Sequence, residues 1–115
     1  SSKKIQLLGF MGEHKDPELA ALLLPYLEDM DEGVRFTAVE SLLHQADAGV
    51  AQTALLKLLQ SEEEKSRRIK LRVLEGFAQL GWNVPKEHIP ALEKLIVDLL
   101  PGSRLDIQGK IHLKS

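Results

Sequence analysis

The chain has 115 residues, 43% hydrophobic, 28% charged and only 4% aromatic, enough for one small domain with a real core and too apolar for a disordered chain. Fifteen Lys plus Arg against 17 Asp plus Glu leave a net charge of -2, so the basic excess that marks nucleic-acid or anionic-membrane binding is missing. With no cysteine at all, disulfides, thiolate nucleophiles and Cys-based zinc or iron–sulfur sites drop out together.

The first predicted helix runs from about Lys3 to Glu13, with Lys4, Leu7, Leu8 and Met11 at helical spacing. His14-Lys15-Asp16 interrupts it, and Asp16-Pro17 reads as an N-cap followed by proline at the first helical position. Ala20, Leu23, Leu24 and Leu27 then form an amphipathic stripe around an internal Pro25, ending in the acidic turn Glu28-Asp29-Met30-Asp31. Further helices are predicted over about Glu32–Gln45 and Val50–Gln60, separated by a loop at Ala46–Gly49. After a turn at Ser61–Glu64 comes the longest helix, about Lys65 to Leu80, stopped by Gly81 as a left-handed C-cap. A last helix covers about Pro90 to Leu100. From Ser103 onward the period changes: Leu105, Ile107, Ile111 and Leu113 alternate with polar residues, as in a β-hairpin. A three-residue loop ending at Lys110 would pair Ile107 with Ile111 and Leu105 with Leu113, and this is the expected register. Such a ribbon is marginal alone and should dock on the last helix.

Internal repetition organises these elements. Val34–Leu42 superposes on Ile69–Phe77 at an offset of 35, Lys4–Leu8 on Arg35–Val39 at 31, and Leu23–Leu27 on Leu55–Leu59 at 32. Periods in this range are those of stacked helical hairpins. Val34, Phe36, Ala38, Val39, Leu42 and Leu43 occupy an arc of about 200° at the helical period, too wide for a single contact and suited to an inner layer. Arg35 lies inside that arc, and Lys70 and Lys4 fall at the matching positions. A cation there needs a partner, and Asp31 in the preceding turn is the candidate for a structural ion pair with Arg35.

Leu24-Pro25-Tyr26-Leu27, then Asp29, Asp31, Val34-Arg35, Ala38 and Leu42, resembles the consensus of the HEAT repeat. The segment Pro17–Gln45 carries the resemblance best. The next repeat follows the pattern but has Ser66 at the Asp31 position and Lys70 for Arg35, and the tail lies outside it. The resemblance implies an all-α fold, a right-handed superhelical solenoid of about two and a half helical hairpins in one domain over residues 1–115. It would comprise a half repeat (1–13), two repeats (16–45 and 49–81), a last helix (85–100) and a hairpin-like or irregular cap (103–115). It also implies that the second helices line a concave side.

The polar arcs of those helices then supply the candidate protein-binding residues: Thr37, Glu40, Ser41 and His44 on one, Arg68, Arg72, Glu75 and Gln79 on the next. Gln6, Gly9 and Phe10 fall at the corresponding place on the first helix. The expected function is a non-catalytic protein–protein interaction scaffold with a pre-formed polar strip. Residues 1–60 carry 5 cations and 9 anions, net -4, and residues 61–115 carry 10 and 8, net +2, a polarity suited to steering a protein partner. The basic cluster Lys65, Arg67, Arg68, Lys70 and Arg72 follows Glu62-Glu63-Glu64, so its charges pair within the helix, as Glu64 with Arg68, rather than marking a nucleic-acid site. Glu40, His44 and Asp47 lack the second histidine that a metal site would need, and no acid–base or nucleophile constellation stands out; neither an enzyme nor a cofactor is expected. The resemblance extends to the phycobilisome-lyase-like subgroup, which implies, as the alternative, a protein that binds or helps attach a bilin chromophore. No apolar run is long enough to span a membrane and no signal-peptide pattern opens the chain, so a cytoplasmic protein is expected. The chain opens at Ser1 directly in a helical pattern, as a segment of a larger solenoid would, exposing an apolar face at Ile5, Leu8 or Phe10.

Overall fold

The computed structural model describes residues 2–13, 17–45 and 48–114. Among them lie six α-helices and a two-stranded antiparallel ribbon: α1 (Ser2–Gly12), α2 (Pro17–Leu23), α3 (Glu32–His44), α4 (Ala48–Leu59), α5 (Arg67–Leu80), α6 (Ile89–Leu99), β1 (Arg104–Leu105) and β2 (Ile111–His112). Two short 3-10 turns, Leu24–Glu28 and Lys86–His88, follow α2 and precede α6. Packing divides the chain into two compact units, residues 1–58 and 59–115. Among the described residues no helix is long and apolar enough to cross a membrane.

In the first unit α1, α2 and the 3-10 turn all pack on α3. The stripe read as one helix through Pro25 changes character at Leu24, where the α-helix gives way to the 3-10 turn. Proline has no N–H to donate and its ring collides with the carbonyl four residues back, so the α-helical ladder cannot pass it. Ala20, Leu23 and Leu27 keep their place in the core, while Leu24 is only half-buried. α3 starts where Asp31 caps it, its Oδ1 accepting from the Gly33 and Val34 amides at 2.8 and 3.3 Å. It buries Val34, Ala38, Val39, Leu42 and Leu43. α1 crosses it closely: a Cβ on Gly12 would stand 2.9 Å from the Ser41 Cα. α4 begins at Ala48, so the predicted loop over Ala46–Gly49 is too long: Ala48 and Gly49 are helical. Ala46 and Asp47, like His14, Lys15 and the expected N-cap Asp16, lie outside the described residues.

In the second unit α5 packs on α6, and the ribbon lies against both, β1 on α6 and β2 on α5. α5 starts two residues after its predicted beginning because Ser66 caps it, its hydroxyl accepting from the Ile69 amide at 3.2 Å. It ends as expected at Gly81, whose φ of 69° is left-handed. Trp82 then turns back, its ring edge-on to Phe77 at 5.2 Å. The core gathers Ile69, Val73, Leu74, Phe77, Val84, Leu92, Ile96, Leu105 and Ile111.

The hairpin exists, but its register differs from the expected one. Leu105 faces Ile111 and Arg104 faces His112, so Ile107 is 87% exposed and Leu113 lies outside the strands. The turn chemistry decides this. The Gly109 amide donates to the Asp106 carbonyl at 3.0 Å, and Asp106 Oδ1 accepts from the amides of both Gln108 and Lys110 at 2.9 Å. Gly109 supplies the positive φ of 91° that closes the three-residue loop Ile107–Gly109. Apolar alternation alone placed Ile107 in the ladder; the Asx turn and the glycine move it to the tip.

Candidate functional site

The sequence offset of 35 reappears as matching local geometry in the two units. Val34, Ala38, Val39, Ser41 and Leu42 are buried in α3, and their counterparts Ile69, Val73, Leu74, Gly76 and Phe77 are buried in α5. The turns before the two helices are built alike. Asp29 Oδ1 accepts the amide of the cap residue Asp31 at 2.9 Å, and Glu64 Oε2 accepts that of Ser66 at 3.0 Å. The cation four residues after each cap reaches back to main-chain carbonyls: Arg35 to those of Asp29 and Met30 at 2.8 and 3.1 Å, Lys70 to that of Ser61 at 3.1 Å. The recurring cation inside the apolar arc thus has carbonyl acceptors in the turn, and Asp31, expected as the ion-pair partner of Arg35, also caps α3 through its Oδ1.

Lys4, third in the series, donates to Asp29 at 2.8 Å. That bond, with the Asp31 amide, holds the Asp29 carboxyl below its ordinary value, and it raises the pKa of Lys4. The turn Glu28–Asp31 is therefore fixed from α1 and α3 together.

The eight candidate binding residues divide four and four between the units. On α3, His44 is exposed, Glu40 is half-buried, and Thr37 is half-buried with its hydroxyl donating to the Gly33 carbonyl at 2.8 Å. Ser41 does not belong with them. It is 3% exposed and donates to the Leu8 carbonyl at 2.6 Å, because it sits where Gly12 lets α1 approach. On α5, Arg68 and Gln79 are exposed, and Arg72 and Glu75 are half-buried. Position by position the faces correspond: Glu40 to Glu75, His44 to Gln79 and Thr37 to Arg72.

Two further features stand out. An open cleft of about 410 Å³ lies between the turn before α5 and α6, with Glu62, Glu64, Lys65, Arg67, Lys70 and Asp98 around Leu95 and Leu99. Part of the basic cluster therefore lines a recess of mixed charge, whose polar groups are partly engaged: Lys70 by Ser61, Glu64 by Ser66, and Arg67 by the Leu99 carbonyl at 3.4 Å. The second is the outer face of α1. Of the three residues expected to be exposed there, Leu8 is fully buried and Ile5 half-buried, because both face α3; Phe10 is 61% exposed and Leu7 joins it at 51%. Only the helical phase relative to α3 separates Leu7 from Leu8.

Among the described residues no three His, Asp or Glu side chains converge on a point that could hold a metal ion. Of the Glu40, His44 and Asp47 set, Asp47 lies outside the described residues. No family model matches the chain, and neither a curated protein nor a solved structure matches it.

Proposed function

We propose that the chain is a non-catalytic, cytoplasmic protein-binding scaffold of HEAT-like hairpins. The observation that carries this reading is the repetition of α3 in α5, with matching buried positions, a side-chain cap at the matching residue and a cation four residues on that bonds carbonyls of the turn. A helix held in that way presents its remaining polar side chains in a fixed frame, so a partner orders little of this chain on binding. Thr37, Glu40 and His44 on α3, and Arg68, Arg72, Glu75 and Gln79 on α5, are the residues so presented. Glu40, Arg68, Arg72 and Glu75 select the partner by charge, with the net -4 of residues 1–60 and the net +2 of residues 61–115 setting the long-range field.

The test is affinity capture from lysate of the source cells with the wild-type chain and with a variant reversed in charge at Glu40, Arg68, Arg72 and Glu75. Cooperative melting of the variant is checked first. A protein retained by the wild type alone, and bound by it when purified, supports the reading. Equal capture by both, or none by either, overturns it.

A further inference from the structure

The side of α1 turned away from α3 is exposed. At about 100° per residue, Lys3, Gln6, Leu7, Gly9, Phe10 and Glu13 all fall within roughly 80° of the direction opposite Leu8, whose side chain is buried on the α3 side. All six are exposed. Residues 5–12 carry no charge, which is unusual for a solvated helix surface. Glu13, one residue past the helix, stays on the same side because its amide donates to the Phe10 carbonyl at 3.2 Å.

These residues pair off at equal distances from position 8 in the chain: Leu7 with Gly9, Gln6 with Phe10, Lys3 with Glu13. Two such helices, antiparallel about a twofold axis passing over Leu8, bring each residue of a pair against the other residue of that pair in the second copy, as an isologous interface requires. The chemistry of each pair then matches. Leu7 meets Gly9, around whose Cα a side chain would find nothing within 4 Å, so there is room for the leucine. In that arrangement the Phe10 ring would lie over the Gln6 stem of the second copy. Lys3 and Glu13 would form two symmetry-related ion pairs, whereas a parallel arrangement would set lysine on lysine and glutamate on glutamate.

We infer that the chain self-associates through α1 in this antiparallel, twofold arrangement, with a second copy of the chain as the occupant of the face. One pair of short helices buries less than the roughly 1,200 Å² of a standard interface, so the dimer is a weak one that forms as concentration rises. This inference is independent of the partner proposed above.

Sedimentation equilibrium of the full chain, from about 10 μM to 1 mM, reads the association directly. The wild type is expected to show a reversible monomer–dimer equilibrium, and Leu7→Glu or Phe10→Glu to weaken it at least about tenfold. Lys3→Glu and Glu13→Lys each set like charges together at two places and weaken it about fivefold. The double variant Lys3→Glu/Glu13→Lys restores dimerisation to within about twofold of wild type, since the antiparallel register exchanges the two charges. Lys3 and Glu13 are exposed, so the charge variants keep the test open even where a change at Leu7 or Phe10 disturbs folding. A wild type that stays monomeric throughout, or a double variant no better than the single ones, overturns the inference.

Discussion

Gly109→Ala and Gly102→Ala form a matched pair that isolates what holds the terminal hairpin to its unit. Both glycines have φ of 91°, so an alanine at either position carries the same backbone strain, about 1–2 kcal/mol. Their surroundings differ. A Cβ at Gly102 meets only the far end of the Lys114 side chain, which can swing aside; a Cβ at Gly109 would lie 2.1 Å from the Val84 carbonyl oxygen. Backbone must therefore move, and the bond from the Val84 amide to the Gly109 carbonyl, 2.7 Å long, opens at a site where Val84 is 2% exposed. A buried bond lost with its groups unsatisfied adds about 1–3 kcal/mol. Gly109→Ala is thus expected to cost about 2–5 kcal/mol and Gly102→Ala about 1–2 kcal/mol. The larger loss is capped at the free energy with which the ribbon is docked, because beyond that point the ribbon detaches and the helices remain. Urea titration followed by the single Trp82 gives both values, and amide exchange at Val84 distinguishes detachment from global unfolding. Equal losses for the two variants, within about 0.5 kcal/mol, would refute the argument that the Val84 contact fixes the hairpin.

Gly12→Ala drives a methyl group into Ser41, including its Cα at 2.9 Å, and should destabilise the chain by about 1–3 kcal/mol in spite of alanine's better helix propensity; a thermal melt that rises instead contradicts the close crossing of α1 and α3. Asp31→Ala and Ser66→Ala each remove an N-cap acceptor and are expected to cost a similar amount, about 1 kcal/mol each; a large disparity in denaturant midpoints argues against equivalent turns. Asp106 is held at a pKa of about 2, first by its hydrogen bond with His112 at 2.8 Å and then by the Lys110 amide. Because the folded-state value lies below the ordinary 3.8, its contribution is fully present above that pH and is lost as the pH falls towards 2. The stability gap between wild type and Asp106→Asn should therefore narrow between pH 4 and 2 in chemical denaturation, and a gap independent of pH would sink the assignment.

Helix number, order and approximate bounds were legible because apolar periodicity and caps are local signals. Gly81, Pro90 and the offset of 35 between Val34 and Ile69 each mark their element without reference to the rest of the chain. What was not legible depended on which neighbour claims a group. Ser41 is polar and lies on the wheel beside Glu40 and His44, yet it is buried, since glycine at position 12 of another helix draws α1 onto it. No spacing within α3 carries that information. The hairpin register failed for a different reason. Alternation of Leu105, Ile107, Ile111 and Leu113 admits more than one pairing, and the Asp106 carboxylate and Gly109 φ selected the one that exposes Ile107.

The replacement of Asp31 by Ser66 and of Arg35 by Lys70, which weakened the second repeat as a sequence match, leaves the turn chemistry intact. The needs at these positions are generic: an acceptor for orphan amides at the helix start, an acceptor for the cap's own N–H, and a cation for carbonyls in the turn. A carboxylate or a hydroxyl meets the first, Asp29 or Glu64 the second, Arg or Lys the third. The repeat is therefore stricter in donors, acceptors and burial than in residue identity. In the second unit the ribbon lies on α5 and α6 and buries Leu105 and Ile111; in the first, α1 leaves Leu7 and Phe10 exposed on an uncharged stretch. That exposed pair on α1 is the surface on which the proposed self-association rests.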